Sequence, residues 1–323
     1  MGTIRTSTPS CCDSDRRRFL KASVATIAAA SIPRFVHAAP TPTSAAETVV
    51  AEFYQSLSDA QRAAICRPFG DQLQSRVSAN WHVSKALIGD DFYSDAQRAM
   101  IEKIVRGLTS QDGFKRLEEQ MEYDDGGLGA YSVAMFGEPS ADKFQWLLTG
   151  RHLTLRADGN TVDGRAFGGP IVYGHGEESS AEDNIFYYQT KRVNEVFAAL
   201  DASQAAKALC DQPPSETKVQ LQGTSGKFDG LQVGELAADQ QKLVRDVLGT
   251  LLAPYREEDA TEALSIIDQT GGIESLRFAF YKQQDLEKDG IWDIWRIEGP
   301  SAVIHFRGAP HVHAYIHIGS PKA

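Results

Sequence analysis

Residues 311–318, His-Val-His-Ala-Tyr-Ile-His-Ile, alternate between two kinds of side chain without interruption. Such alternation belongs to a β-strand with two unlike faces, because successive strand side chains point to opposite sides. Val312, Ala314, Ile316 and Ile318 make an ordinary core face, while His311, His313, Tyr315 and His317 share the other. A chain carrying this strand needs an apolar layer on one side and a polar environment on the other. Imidazole is the commonest side-chain ligand of transition metals, so the histidine row is the first candidate site.

The surrounding pattern sets the fold class. Residues 47–69 read as helical, with Val50, Phe53, Tyr54 and Leu57 as an apolar stripe. Ser58-Asp59-Ala60-Gln61 is a capping box that starts a second helix ending near Pro68. The phrase returns as Ser94-Asp95-Ala96-Gln97, and in looser form as Ala237-Ala238-Asp239-Gln240, each time before a helically periodic apolar run. Chance reuse of a good helix start accounts for this, and no repeat is regular enough for a solenoid. Strands are predicted at 131–136, 144–148, 152–156 and 161–167, then a helix over 184–200. Residues 212–230 read as a loop with a short strand at 218–222, and strands return at 275–281, 292–298, 302–306 and 311–318. Helices and strands in blocks predict an α+β fold, a helical N-terminal region packed on a largely antiparallel sheet, as a single domain over 47–323.

The N-terminus carries an address. Arg16-Arg17-Arg18-Phe19-Leu20-Lys21 followed by an apolar run reads as a twin-arginine signal peptide over 1–38, with cleavage after Ala38 and a flexible linker over 39–46. The apolar run is too short for stable membrane insertion. The expected partner there is the twin-arginine translocon, and the expected location is periplasmic or secreted. Export of a folded chain would let an ion be chosen before export. The full sequence has net charge −10, and the segment removed is basic, so the remainder is more acidic still. That excludes non-specific nucleic-acid binding. Cys66 and Cys210 remain after cleavage, and pairing or free thiols are both open.

Seven histidines follow the signal: His82, His152, His175, His305, His311, His313 and His317. His152 shares a predicted face with Thr154, and His305 points away from Ile304 and Phe306. If the last two strands form a hairpin through 307–310, His305 lies beside the row. The expected ligands are His311 and His313 with His152, and His305 or His317 as an additional ligand or proton shuttle. Three imidazoles at about 2.0–2.2 Å would hold zinc, copper, manganese or iron with one position open. Arg156, Tyr315 and His175 are the candidate substrate-binding residues, with packing against the histidines as the plainer role of Tyr315. His82, in a stretch read as helical, is assigned a structural role. A polar pocket without an ion and an uninvolved surface strand remain alternatives. Gly223-Thr224-Ser225-Gly226-Lys227 matches neither a nucleophile elbow nor a phosphate loop. The acidic pairs Asp124-Asp125 and Glu177-Glu178 read as solvated loops.

Several pieces occur together in order: Tyr131, Phe136-Gly137-Glu138-Pro139, Trp146, Gly150-Arg151-His152-Leu153, Gly299-Pro300 and His311-Val312-His313. In this order the chain resembles the family catalogued as domain of unknown function 3500, over most of its length beyond the signal. The family pattern has a histidine where this chain has Arg151. The resemblance implies a shared fold and a shared histidine-lined site, and no particular reaction. The expected function is therefore an exported metalloenzyme, hydrolytic or redox, acting on a small molecule. The alternatives are a non-catalytic protein that binds metal or a small ligand, and an ion-free pocket lined by histidine, Arg156 and tryptophan.

Overall fold

Among the described residues, each half of the chain runs through four helices and then four longer strands. The computed structural model describes residues 39–176, 184–283, 285 and 290–320. The signal segment and the Glu177-Glu178 pair lie outside them. The first half contains α1 (Ala45–Ser56), α2 (Asp59–Ile65), β1 (Cys66–Arg67), α3 (Asp95–Gly107) and α4 (Gln111–Asp125). Strands β2 (Ser132–Gly137), β3 (Phe144–Gly150), β4 (Leu153–Ala157) and β5 (Ile171–His175) follow. The second half contains α5 (Tyr187–Ala198), α6 (Ala202–Ala208), β6 (Leu209–Cys210), β7 (Leu231–Gln232), α7 (Ala238–Leu252) and α8 (Glu257–Gln269). It ends with β8 (Arg277–Tyr281), β9 (Ile294–Glu298), β10 (Ala302–Arg307) and β11 (Val312–Ile318). The fold is α+β, with the predicted N-terminal helical block and a second helical block after β5.

The sheet order is β1-β2-β3-β4-β5-β11-β10-β9-β8-β6, with β7 on β8. It reads as two copies of one meander, turned to face each other across the antiparallel pair β5–β11. The short strands β1 and β6 run parallel to β2 and β8 at corresponding outer positions. The helix starts agree. Gln61 and Gln97 exchange amide hydrogen bonds of 2.9 and 3.0 Å, and Gln204 and Gln240 exchange bonds of 3.1 and 2.9 Å. Each glutamine also accepts from the backbone N–H at the start of its own helix, at Ser58, Ser94, Asp201 and Ala237. The recurring phrase is therefore not chance reuse: it marks corresponding helices of an internal duplication.

One sheet face carries the main core. Trp146, Leu148, Leu155, Tyr173, Trp295, Ile304, Phe306 and the even residues of β11 pack there with the helices. The other face is covered by loops: Trp81 and Val83 on Ala134, Phe136 and Leu147, and Ala79 and Val219 on Val172, Val303 and Tyr315. The histidine row thus lies under loops rather than in open solvent. Across the halves, the Arg256 guanidinium grips Glu47 of α1 with bonds of 2.8 and 2.7 Å and Asp259 of α8 at 2.8 Å. All three side chains are buried.

Two predicted strands are absent. Residues 161–167 form turns, with Val162 N–H bonded to the Asp158 carboxylate and Phe167 at φ 59°. The strand comes later, as β5. Residues 218–222 lie in the loop layer with no strand partner. His82 is in a loop, not a helix, and its ring is hydrogen-bonded to Ala130 O at 3.1 Å. Cys66 and Cys210 are free thiols. No helix among the described residues is long and apolar enough to cross a membrane.

Candidate metal centre

The β10–β11 hairpin forms as predicted, and its register brings the row together with β5. His313 stands opposite Arg307 on β10 and Gly174 on β5, and Tyr315 opposite His305 and Val172. Gly174 is required: a Cβ there would lie 2.2 Å from Val312 O and 3.2 Å from His152 Cβ. The bare backbone at this point lets His152 approach β11.

His152 does not follow the strand alternation expected of it. It occupies the tight β3–β4 turn at φ 54°, a left-handed conformation that non-glycine residues seldom adopt. The neighbourhood holds it there. Its N–H donates to Ala79 O at 2.6 Å, and its carbonyl accepts from Gln120 Nε2 at 3.2 Å. Tyr131 Oη donates to the adjacent Arg151 O at 2.8 Å. The conformation aims the ring at the row.

His152, His311 and His313 each offer a ring nitrogen, all within 4.8 Å of one another. Their ring centroids are 5.2, 4.9 and 4.7 Å apart. Two of the rings are anchored from behind by carboxylates. His152 Nδ1 lies 2.8 Å from Asp124 Oδ2, whose other oxygen accepts from Gly176 N–H at 2.7 Å. His313 Nδ1 lies 2.9 Å from Glu216 Oε1, which also accepts from Tyr315 Oη at 2.9 Å. An ionised carboxylate only accepts, so the network assigns the proton to Nδ1 and leaves Nε2 with a free lone pair. Arg307 Nη2, which only donates, stands 3.3 Å from His311 Nε2, so that nitrogen is also an acceptor. His311 Nε2 and His313 Nε2 lie 3.0 Å apart. The donor set thus fits a transition ion, and the carboxylate–imidazole arrangement is the one that orients metal-ligating histidines.

The electrostatics agree. Burial pushes His311 down to about 4, helped by His313 and Arg307, and burial also lowers His313 against the pull of Glu216. Both imidazoles are neutral near pH 7, the form that binds metal. Burial opposes ionisation of Glu216, but the His313 hydrogen bond and charge, then Arg307 and Tyr315, hold it down to about 2.

The remaining candidates are distributed elsewhere. His305 and His317 are not in the ligand-distance group. His317 Nδ1 is hydrogen-bonded to Val219 O at 2.8 Å, while Nε2 accepts from Arg165 at 3.4 Å. His305 is buried on the same sheet face and lines a cavity of about 310 Å³ with Glu216, Arg307, Ser215 and Ile294. That cavity touches the centre through Glu216 and Arg307. His175 is buried beside Tyr123 of α4, ring centroids 4.7 Å apart, on the helical face of β5. Arg156 bonds to Pro170 O, Gln74 O and Gln145 Oε1, and to no histidine. Tyr315 Oη donates to Glu216 Oε1.

Asp124 and Glu216 were not foreseen. Asp124 is a buried residue of α4, not part of a solvated loop. Leu117, Gln120, Met121 and Asp124 form one buried helical stripe, and a carboxylate in such a stripe needs a partner. That signal was present in the sequence. Glu216 lies in the Pro-rich loop, where no periodicity exists to reveal it. Arg151, at the family's histidine position, bonds weakly to Asp124 O at 3.4 Å, and His152 beside it supplies the ring.

No curated protein and no solved structure matches the chain. Residues 39–320 match the family described as "Protein of unknown function (DUF3500)", and the chain belongs to that family.

Proposed function

We propose that the protein is an exported, metal-dependent enzyme acting on a small molecule at the His152–His311–His313 centre. The observation that carries this is the convergence of three imidazoles, two of them anchored by carboxylates. No fourth histidine, cysteine or carboxylate joins the group among the described residues. Three protein ligands with an open position are the pattern of catalytic rather than storage sites. Zinc, copper, manganese and iron suit this ligand set, and such an ion would supply Lewis acidity or a redox centre. Asp124 and Glu216 fix the ring orientations, and Arg307 brings a positive charge to the cavity wall. His305 lines the same cavity, and its buried Nδ1, without a hydrogen-bond partner among the described residues, would hydrogen-bond a bound molecule.

Metal analysis of the purified protein tests the proposal. About one ion per chain is expected, lost in His311→Ala/His313→Ala with the fold retained. Azide or cyanide should then bind the loaded protein. Metal-free protein at saturating ion would overturn the metal reading, and a loaded centre inert to both anions would point to a non-catalytic binding protein. Export is tested separately: Arg16→Lys/Arg17→Lys should leave the precursor in the cytoplasm, and periplasmic wild type should start near Ala39.

A further inference from the structure

The duplication gives the metal centre a counterpart. In the first half, His152 precedes β4 and bonds to Asp124 at the end of α4. In the second, Ser301 precedes β10 and bonds to Thr270 just after α8. Leu153 and Ala302, the first residues of β4 and β10, pair with Tyr173 and Ile318. The following residues, Gly174 and Gly319, are therefore equivalent. Gly174 pairs with His313, and Gly319 pairs with Arg165. A guanidinium thus occupies the position that the ion-binding His313 holds in the other half.

Arg165 lines a cavity of about 400 Å³ with Gln145, Gln72, Gly169 and His317. Its guanidinium bonds to His317 Nε2, and it has no ion-pair partner among the described residues. Arg156 stands directly behind the same wall: a Cβ on Gly169 would lie 3.8 Å from its Nε. Arg156 is 3% exposed, bonds only to neutral acceptors, and leaves Nη2 without a partner. The nearby acids are engaged. Asp158 accepts from Val162 N–H, and Asp71 accepts from Leu73 N–H and lies 3.8 Å from Arg67. Arg165 without an ion-pair partner, and buried Arg156 with its charge met through Asp158 but one N–H unpaired, are costly beside an empty cavity. A carboxylate or phosphate relieves that cost, since its oxygens match the guanidinium fork.

We propose that this second cavity is a metal-free binding site for a small organic anion bearing a carboxylate or phosphate, with Arg165 as its direct contact. Arg156 supplies field from behind the wall, and Gln145 and Gln72 offer amide groups at the rim. The site is independent of the metal centre.

Calorimetric titration of the full protein with malonate, citrate and inorganic phosphate, at constant ionic strength, tests this. At least one should bind saturably, one per chain, at or below about 1 mM. Arg165→Gln should weaken it about tenfold or more, with melting in the absence of the anion not lowered. His311→Ala/His313→Ala should leave the affinity intact. If Arg165→Gln does not fold, Arg165→Lys replaces it: loss of the fork with charge retained should still weaken binding severalfold. Absence of saturable binding for all three anions would overturn the proposal. So would full affinity in the Arg165 variant, or loss of affinity in the histidine variant, which would move the anion to the metal centre.

Discussion

Asp124 Oδ2 lies 2.8 Å from His152 Nδ1, and the Asp124 side chain is fully buried. The pair joins the end of α4 to the strained β3–β4 turn. Outer carboxylates of this kind contribute about 10–100-fold to metal affinity. Asp124→Asn should therefore weaken metal binding by about that factor, read by competition with a chelator. Asp125→Asn, one residue on and exposed, should not. Equal affinities in the two variants would remove Asp124 from the site.

Glu216 should matter more than the tyrosine beside it. Glu216→Gln removes the charge that holds His313 Nδ1 and should cost metal affinity on the scale of Asp124→Asn. Tyr315→Phe removes one of the two hydrogen bonds to Glu216 Oε1, worth about 1 kcal/mol. Its effect should be about tenfold at most. A larger loss in Tyr315→Phe than in Glu216→Gln would invert the assigned roles.

Stability should fall in acid through the buried imidazoles. Burial, aided by Arg296, pushes His305 down to about 3, and burial pushes His317 down to about 4. The unfolded chain takes up these protons near pH 6.5 while the folded chain does not. The contribution is present above about 6.5 and is lost as pH falls toward the folded values. Each histidine adds a slope of up to about 1.4 kcal/mol per pH unit in that window. Urea unfolding of metal-free protein between pH 4 and 7 measures it, and His305→Gln should flatten the curve. An unchanged slope in His305→Gln would refute the assignment.

Arg256 ties the two halves through Glu47. Arg256→Ala leaves the buried carboxylates of Glu47 and Asp259 without their cation and should destabilise by about 3–5 kcal/mol. Arg256→Met/Glu47→Gln should recover part of this, because only Asp259 then lacks its partner. Chemical denaturation of the three proteins gives both numbers. Similar stability for single and double variants would show the pair to be water-accessible.

Local pattern was legible in the chain. Alternation in 311–318 placed His311, His313, Tyr315 and His317 on one face of a strand; His313, Tyr315 and His317 lie there, while His311 sits in the bend just before β11. The boxes at Ser58 and Ser94 start α2 and α3 as read. These signals depend only on the period of a strand or on the first turn of a helix, so neighbouring residues carry them completely. The block order of helices and strands likewise predicted the α+β class.

Convergence was not legible. His313 comes from β11 and His311 from the bend just before it, but His152 reaches them only because β5 pairs with β11 in a register that sets Gly174 against His313. That pairing spans more than a hundred residues and is decided by packing of both halves on one core, which no local period encodes. The left-handed turn at His152 is imposed by Ala79, Gln120 and Tyr131, all distant in sequence. Glu216 comes from a loop with no repeat to read. The sequence by itself determined the strand, its two faces and the helix starts, because each is a matter of nearest neighbours. Only the tertiary structure decided which imidazoles meet and which carboxylates stand behind them, because long-range strand register and loop closure set those distances.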